Sequence, residues 1–377
     1  MRQSTIWAAL LGVEKTVVEA VAFDGDEETL VVSVRPRRRS AGRCGVCRRR
    51  CPGYDQGEGR RRWRALDLGT FRAFLEADAR RVSCPEHGVV VAHVPWARHD
   101  TRHTLAFDDM TAWLAARTTK STLEQLLRIA WRTVGAIVTR VVADGLAVRD
   151  PLVGLTRIGI DEISYKRGHR YITIVVDHDS RRLVWAAPGR DRATLGKFFD
   201  ALGEQRCAAI THVSADAADW IATVVAQRCP NAVRCADPFH VVAWATDALD
   251  QVRRDTWNDA RRGGMSGHAR DLKGARYALW KNPEDLTDRQ RTKLAWVAKV
   301  NHRLYRAYLL KEQLRQVFAL KDEAGKALLD RWLSWARRCR IPAFVDLARR
   351  ITKHRASIDA TLEHHLSNDR VSHCTSR

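Results

Sequence analysis

The stretch RIGIDEISYKRGHRYITIVVDHDSRRLVWAA, residues 157–187, holds three apolar runs separated by short polar links. The runs Arg157-Ile158-Gly159-Ile160-Asp161, Tyr171-Ile172-Thr173-Ile174-Val175-Val176-Asp177 and Arg182-Leu183-Val184-Trp185-Ala186-Ala187 are rich in β-branched and aromatic residues and read as strands. Links this short make three neighbouring strands an antiparallel meander. Downstream the pattern predicts a helix over 191–203, a strand over Ala209–Ser214, a helix over 217–228 and a strand over Ala232–Ala236. After 239 the chain reads as helical for about 100 residues, interrupted near Gly263-Gly264 and Asn282-Pro283.

Three hairpin-linked strands followed by helix–strand–helix–strand is the order of a ribonuclease-H-like α/β sheet. Upstream, Asp150-Pro151 breaks the chain and suggests a boundary. Before it, Thr29-Leu30-Val31-Val32-Ser33-Val34 reads as a strand, and residues 35–64 form an Arg- and Gly-rich basic run. Residues 71–79 alternate with period two, as a half-buried strand does. From 104 the period becomes helical: Leu105, Phe107, Met110, Trp113 and Leu114 make one stripe. A second helix is predicted over Ser121–Ala130, with Ser121 and Glu124 as a capping box, and a third over Thr133–Asp144.

The composition excludes several classes. With 45% hydrophobic residues among 377, the chain has material for a sizeable core. No apolar run approaches the roughly 18 residues of a membrane span, and Glu14-Lys15 cut short the N-terminal apolar run, so a signal peptide is not expected. An intracellular protein is the default. Lys and Arg number 65 against 44 Asp and Glu, for a formal charge of +21, which favours a polyanion, nucleic acid first, as partner. A membrane surface would need a basic amphipathic helix or a polybasic anchor, and neither is visible.

Three groups of residues carry chemistry. Cys44-Gly45-Val46-Cys47 and Cys84-Pro85-Glu86-His87 are two knuckles that together offer three thiolates and one imidazole, enough for a tetrahedral zinc site that staples a small module. Cys51 is then a spare, and the competing reading is coincidence among nine cysteines and 14 histidines. The tight link at Trp131-Arg132 between two helices resembles a helix-turn-helix, which would aim Arg132, Thr133 and Arg140 at DNA; an ordinary bundle connection is the bland alternative. Asp161 at the end of the first strand and Asp216 after the fourth come together if those strands are neighbours. Two close carboxylates repel unless a divalent cation lies between them, so they invite Mg2+, and a two-ion site suits phosphodiester chemistry. Glu162 would face the other side of the sheet, and Asp177 reads as a turn residue.

The runs Gly159-Ile160-Asp161-Glu162-Ile163-Ser164, Gly168-His169-Arg170-Tyr171, Val176-Asp177-His178-Asp179, Val213-Ser214-Ala215-Asp216, Pro230-Asn231-Ala232 and Asp237-Pro238-Phe239-His240 resemble, in order, the catalytic domain of insertion-sequence transposases of the ISL-three family. Ala248-Leu249-Asp250-Gln251-Val252-Arg253-Arg254 extends the likeness, and the knuckles and helix pair resemble that family's zinc module and helix-turn-helix. The resemblance implies a multidomain α+β protein. It would have a zinc-binding module over 1–100, a helix-turn-helix region over 101–150, and a ribonuclease-H-like DDE domain over 151–377 with a mainly helical insertion from about 241. It implies Mg2+-dependent cutting and joining of DNA, with Asp161 and Asp216 as the first two acids and Asp237 with His240 as a structural signature. Its partners would be the element's terminal inverted repeats and target DNA, bound by a homo-oligomer on the nucleoid in a bacterial cytoplasm, with no membrane role.

The family also needs a third acid, a Glu, on a late helix. His364-His365-Leu366-Ser367-Asn368-Asp369-Arg370-Val371 resembles the approach to it, but Ser372 stands in its place and residues 373–377 do not resemble the family's continuation. The expectation is a C-terminally truncated chain that binds DNA and zinc and is impaired in catalysis. Glu363 and Asp369 are the nearby acids, the first two and a half turns upstream and the second a turn early. The alternatives are a zinc-containing helix-turn-helix regulator without catalysis, which the carboxylate set would discriminate, and a nuclease of the same fold without joining activity.

Overall fold

The computed structural model describes residues 3–166, 168 and 170–368, and the chain divides into two compact units, Met1–Asp150 and Pro151–Arg377. Ser372 and Asp369, on which the reading of the third acid turns, lie outside the described residues. Among those residues no helix is long and apolar enough to cross a membrane.

The first unit opens with α1 (Gln3–Leu10), then β1 (Thr16–Asp24), β2 (Thr29–Pro36), β3 (Gly53–Asp55), β4 (Arg60–Arg64), β5 (Arg72–Asp78), β6 (Arg81–Cys84) and β7 (Gly88–Val91). Alternation puts Leu30, Val32 and Val34 of β2 and Ala73, Leu75 and Ala77 of β5 on one buried face. That face organises a four-stranded sheet, β1-β2-β5-β4, in which β2 and β5 run parallel. The short strands β3, β6 and β7 make a second sheet. Three helices follow: α2 (Leu105–Ala115), α3 (Lys120–Leu127) and α4 (Trp131–Val148).

The helix pair begins and turns elsewhere than the sequence suggested. Thr119, not Ser121, caps α3, accepting the N–H of Thr122 at 3.2 Å. The link is Arg128-Ile129-Ala130, with Arg128 left-handed at φ 53°, so Trp131 and Arg132 belong to the first turn of α4. A left-handed Arg carries none of the glycine signal that normally marks such a stop.

The second unit contains β8 (Arg157–Lys166), β9 (Arg170–Asp177), β10 (Arg182–Pro188), α5 (Arg192–Leu202), α6 (Glu204–Ala209), β11 (His212–Ala215), α7 (Asp219–Arg228) and β12 (Val233–Ala236). The sheet order is β10-β9-β8-β11-β12, antiparallel through the meander and parallel from β8 to β12. β8 runs past Asp161, pairing Ser164 with Tyr171, so Asp161 lies within the strand and not at its end. The extension offers only Ile163 and the exposed Tyr165 between polar residues, too thin a pattern to lengthen the apolar run. Ile158 and Ile160 pack with Leu195, Phe198 and Phe199 of α5 and Ile221 and Val224 of α7 in the core on one sheet face.

From Pro238 every described element is helical: α8 (Pro238–Arg262), α9 (Ser266–Gly274), α10 (Arg276–Trp280), a 3-10 turn at Pro283–Asp285, α11 (Asp288–Val300), α12 (His302–Ala319), α13 (Asp322–Arg338), α14 (Pro342–Lys353) and α15 (Arg355–His364). They share a core around Trp332, whose indole N–H donates to Leu310 O at 2.8 Å. Its tryptophans are packing residues: Trp244 and Trp332 are buried, and Trp257, Trp280, Trp296 and Trp335 pack against the same cluster. The last helix, α15, returns to the sheet and packs on β12, with Thr361 Oγ1 donating to Ala236 O at 2.6 Å.

Candidate functional site

Register brings the acidic residues together. β11 pairs with β8 as Ser214↔Gly159 and with β12 as Ala215↔Ala236. Carried on by two residues and one residue, those offsets set Asp161, Asp216 and Asp237 abreast across three neighbouring strands, which in a sheet are about 4.8 Å apart. Asp161 Oδ1 accepts the N–H of Glu162 at 2.7 Å. Asp237 is buried, and its Oδ2 pairs with His240 Nδ1 at 2.9 Å, one helical turn into α8. A cleft of about 300 Å³ is lined by Asp161, Glu162, Ser164, Asp237, Phe239, His240 and Asn368.

The charges are felt mutually. Burial pushes the Asp161 carboxyl up, and Asp237 and Asp216 add to the rise against the Glu162 N–H and His240. The bond to Asp237 raises His240, against its burial and helped by Asp216 and Asp161. Glu162 is half-buried and raised mainly by desolvation; its carboxylate pairs with Arg190, beyond β10. It shares the parity of Ile158 and Ile160, the face opposite Asp161. Asp177 accepts the N–H groups of Asp179 and Ser180, both at 3.1 Å, as a turn residue does. Glu363 is exposed and reaches Lys326 of α13 at 3.3 Å, and it does not line the cleft.

In the first unit, the ligand atoms of Cys44, Cys47, Cys84 and His87 all lie within 4.8 Å of one another. Cys47 Sγ is 3.7 Å from Cys84 Sγ, and His87 Nδ1 is 3.6 Å from Cys84 Sγ and 3.9 Å from Cys44 Sγ. A zinc tetrahedron has edges of about 3.6–3.8 Å, so the donors fit that ion in number, kind and spacing. The β6–β7 hairpin presents Cys84 and His87 through a turn closed by Gly88 at φ 66°. Hydrogen bonding to His87 lowers the Cys84 thiol to about 6, toward the thiolate a metal needs. Cys51 stays outside the cluster, its thiol directed to Arg49 O.

The helix pair keeps two of its three expected DNA contacts free on the first turn of α4. Arg132 is exposed and Thr133 half-buried. Arg140 turns inward: its Nε and Nη2 donate to the fully buried Asp108 of α2 at 3.1 and 3.3 Å.

Comparison with known families agrees with this division. A family model described as a transposase matches residues 158–371, more than half of the chain. A zinc finger of IS204/IS1001/IS1096/IS1165 transposases matches residues 40–87, and a helix-turn-helix domain of transposase family ISL3 matches 92–142. The chain belongs to the ISL3 family of transposases. Its relatives include the transposase for insertion sequence element IS1557 from two strains of Mycobacterium tuberculosis, each 61% identical over 97% of this chain and 88% of the relative. The transposase for IS1001 from Bordetella parapertussis is 26% identical over 94% and 87%.

In this ISL3 transposase the sequence placed His178, Ser214 and Asn368 inside family-like runs, Asn368 in the approach to the third acid, and gave none of them a role beneath the aspartates. Their signal was Gly159, a glycine inside an otherwise apolar strand. A Cβ there would lie 2.4 Å from Asn368 Oδ1 and 2.9 Å from His178 Nε2.

Proposed function

We propose that this transposase cuts and joins DNA at the Asp161–Asp216 pair with Mg2+, on a ribonuclease-H-like core interrupted by a helical insertion from about 241. The observation that carries the reading is the alignment of carboxylates across β8 and β11, in a sheet whose strand order is 3-2-1-4-5. An all-oxygen donor set suits a hard cation; burial first, and then the neighbouring Asp237 and Asp216, disfavour the Asp161 carboxylate, and a cation would offset both. Bound there, Mg2+ would activate the attacking oxygen and stabilise the leaving one. Asp237 pairs with His240 and biases that ring toward its protonated form, the direction that offsets the site's negative charge.

The zinc-binding module over 1–100 would be held by Cys44, Cys47, Cys84 and His87. The helix-turn-helix region over 101–150 would present Arg132 and Thr133 to the element's ends, with Arg140 fixing the helices. A homo-oligomer on nucleoid DNA fits the +21 charge and the need to hold two ends together. The test is Mg2+-dependent cleavage and strand transfer on element-end DNA. Any activity should vanish with Asp161→Ala; activity that survives this change overturns the reading. The same assay addresses the impairment expected from position 372: robust, Asp161-dependent turnover would set it aside.

A further inference from the structure

Three aspartates standing abreast are useful only if their backbones keep their spacing, yet β11 and β12 stop one residue before Asp216 and Asp237. A single buried residue joins all three positions, two through its side chain and one through its main chain. Asn368, 2% exposed, lies beyond α15. Its Nδ2 donates to the carbonyl of Ile160, next to Asp161, at 3.0 Å. Its Oδ1 accepts from Ser214 Oγ, two residues before Asp216, at 2.7 Å. Its main-chain N–H donates to Asp237 Oδ1 at 3.2 Å.

The proton inventory of this cluster has one solution. The Ile160 carbonyl can only accept, so the Asn368 amide is oriented with nitrogen toward it. Asn368 Oδ1 can only accept, so the hydroxyl hydrogen of Ser214 is committed to it. Ser214 Oγ lies 2.6 Å from His178 Nε2, and that nitrogen must therefore carry the hydrogen. The chain of donors runs from His178 at the end of β9, through Ser214 on β11, to Asn368 and on to β8. Gly159 keeps the space open, since any Cβ would collide with Asn368 and His178. Asp237 has its Oδ1 on Asn368 N–H and its Oδ2 on His240, so both of its oxygens are held by the protein.

We propose that Asn368 is the positioning residue of the carboxylate site, fixing the spacing of Asp161, Asp216 and Asp237 through Ser214 and the Ile160 carbonyl. The proposal rests on the reading of Asp161 and Asp216 as cation ligands, and one experiment separates the two. Mn2+ affinity of the full chain is measured by the loss of the free-ion electron paramagnetic resonance signal. The temperature is one at which circular dichroism shows each variant folded. Asp161→Ala should weaken binding at least tenfold; if it binds Mn2+ like the parent, the underlying reading falls and the proposal with it. Asn368→Ala and Ser214→Ala should each weaken binding about fivefold or more. Ser214→Thr, which keeps the hydroxyl, and His178→Gln, which keeps a donor at the same place, should stay close to the parent. A folded Asn368→Ala chain with parental affinity, beside an Asp161→Ala chain without it, would overturn the positioning role alone. Should Asn368→Ala not fold, the Ser214 pair decides: weakening by Ala and recovery by Thr supports the proposal, and equal binding in both refutes it.

Discussion

Asp161 and His240 respond to protons in ways that follow from their neighbours. Asp161 sits half-buried with other acids close by and is raised above the ordinary carboxylate range, so its ionised form is disfavoured in the fold. In metal-free buffer at pH 7, Asp161→Asn should therefore raise the melting temperature. Added Mg2+ should raise it for the parent and not for the variant, as differential scanning fluorimetry would read. His240 is raised as well, but as a cation gaining a partner. A group whose folded pKa exceeds its unfolded value near 6.5 contributes stability that is complete below that value and is lost as pH rises through the folded one. The melting-temperature gap between the parent and His240→Asn should thus be larger at pH 6 than at pH 9, without divalent ions. The sequence exposed the aspartates because each follows or ends an apolar run. It showed Asn368 only as part of the approach to a third acid and hid its contacts, because a polar residue far along the chain announces its burial only once α15 has returned to the sheet.

Among the elements, the α3–α4 pair shows most clearly where periodicity runs out. That two helices follow one another here was legible; their buried contacts, Leu123 on α3 with Val134 and Ile137 on α4, emerge from the fold. The turn was displaced by a few residues because its stop is a left-handed Arg128, held by pairing with Asp67 and by Thr70 O at 3.0 Å. Long-range contacts of that kind leave no local trace. The sequence offered Arg132 in the link and Arg140 on the following helix alike as DNA contacts, and the fold, which puts both on α4, separates them. Arg140→Met would leave buried Asp108 with Arg98 as its remaining arginine partner, at a cost of about 1–3 kcal/mol in urea unfolding. Arg132→Ala should change stability by less than about 0.5 kcal/mol, the usual effect at an exposed position. It should nevertheless weaken binding to element-end DNA in a fluorescence-anisotropy titration.

Across the whole molecule, the order of strands in the second unit was readable because short links force neighbours together. The parallel β2–β5 pairing of the first unit was not, since nothing local specifies a crossover. The small β3-β6-β7 sheet was also missed, because the cluster beneath it is chiefly cysteine with Val82, Val90 and Ala92. So little apolar material cannot hold a sheet unaided, and zinc must supply the remainder. Chelation should thus open residues 40–92 to protease while the helices after Pro238 stay protected. The +21 charge makes a second demand: DNA affinity should fall linearly with log salt, steeply enough to mark many phosphate contacts.

The clamp at Asn368 has a consequence in time. Ile160 emerges from the ribosome 208 residues before its partner amide, so the carboxylate face stays unfinished during nearly all of that stretch of synthesis. At roughly 5–20 residues per second, translation from 151 to 368 takes about 10–40 s. Through that interval a first unit whose own strands and cysteines are already complete can engage DNA beside the nascent chain. On the proposed roles of the two units, binding would be available before cutting, and the order of events would be written into the distance along the polypeptide between a strand and the asparagine that locks it.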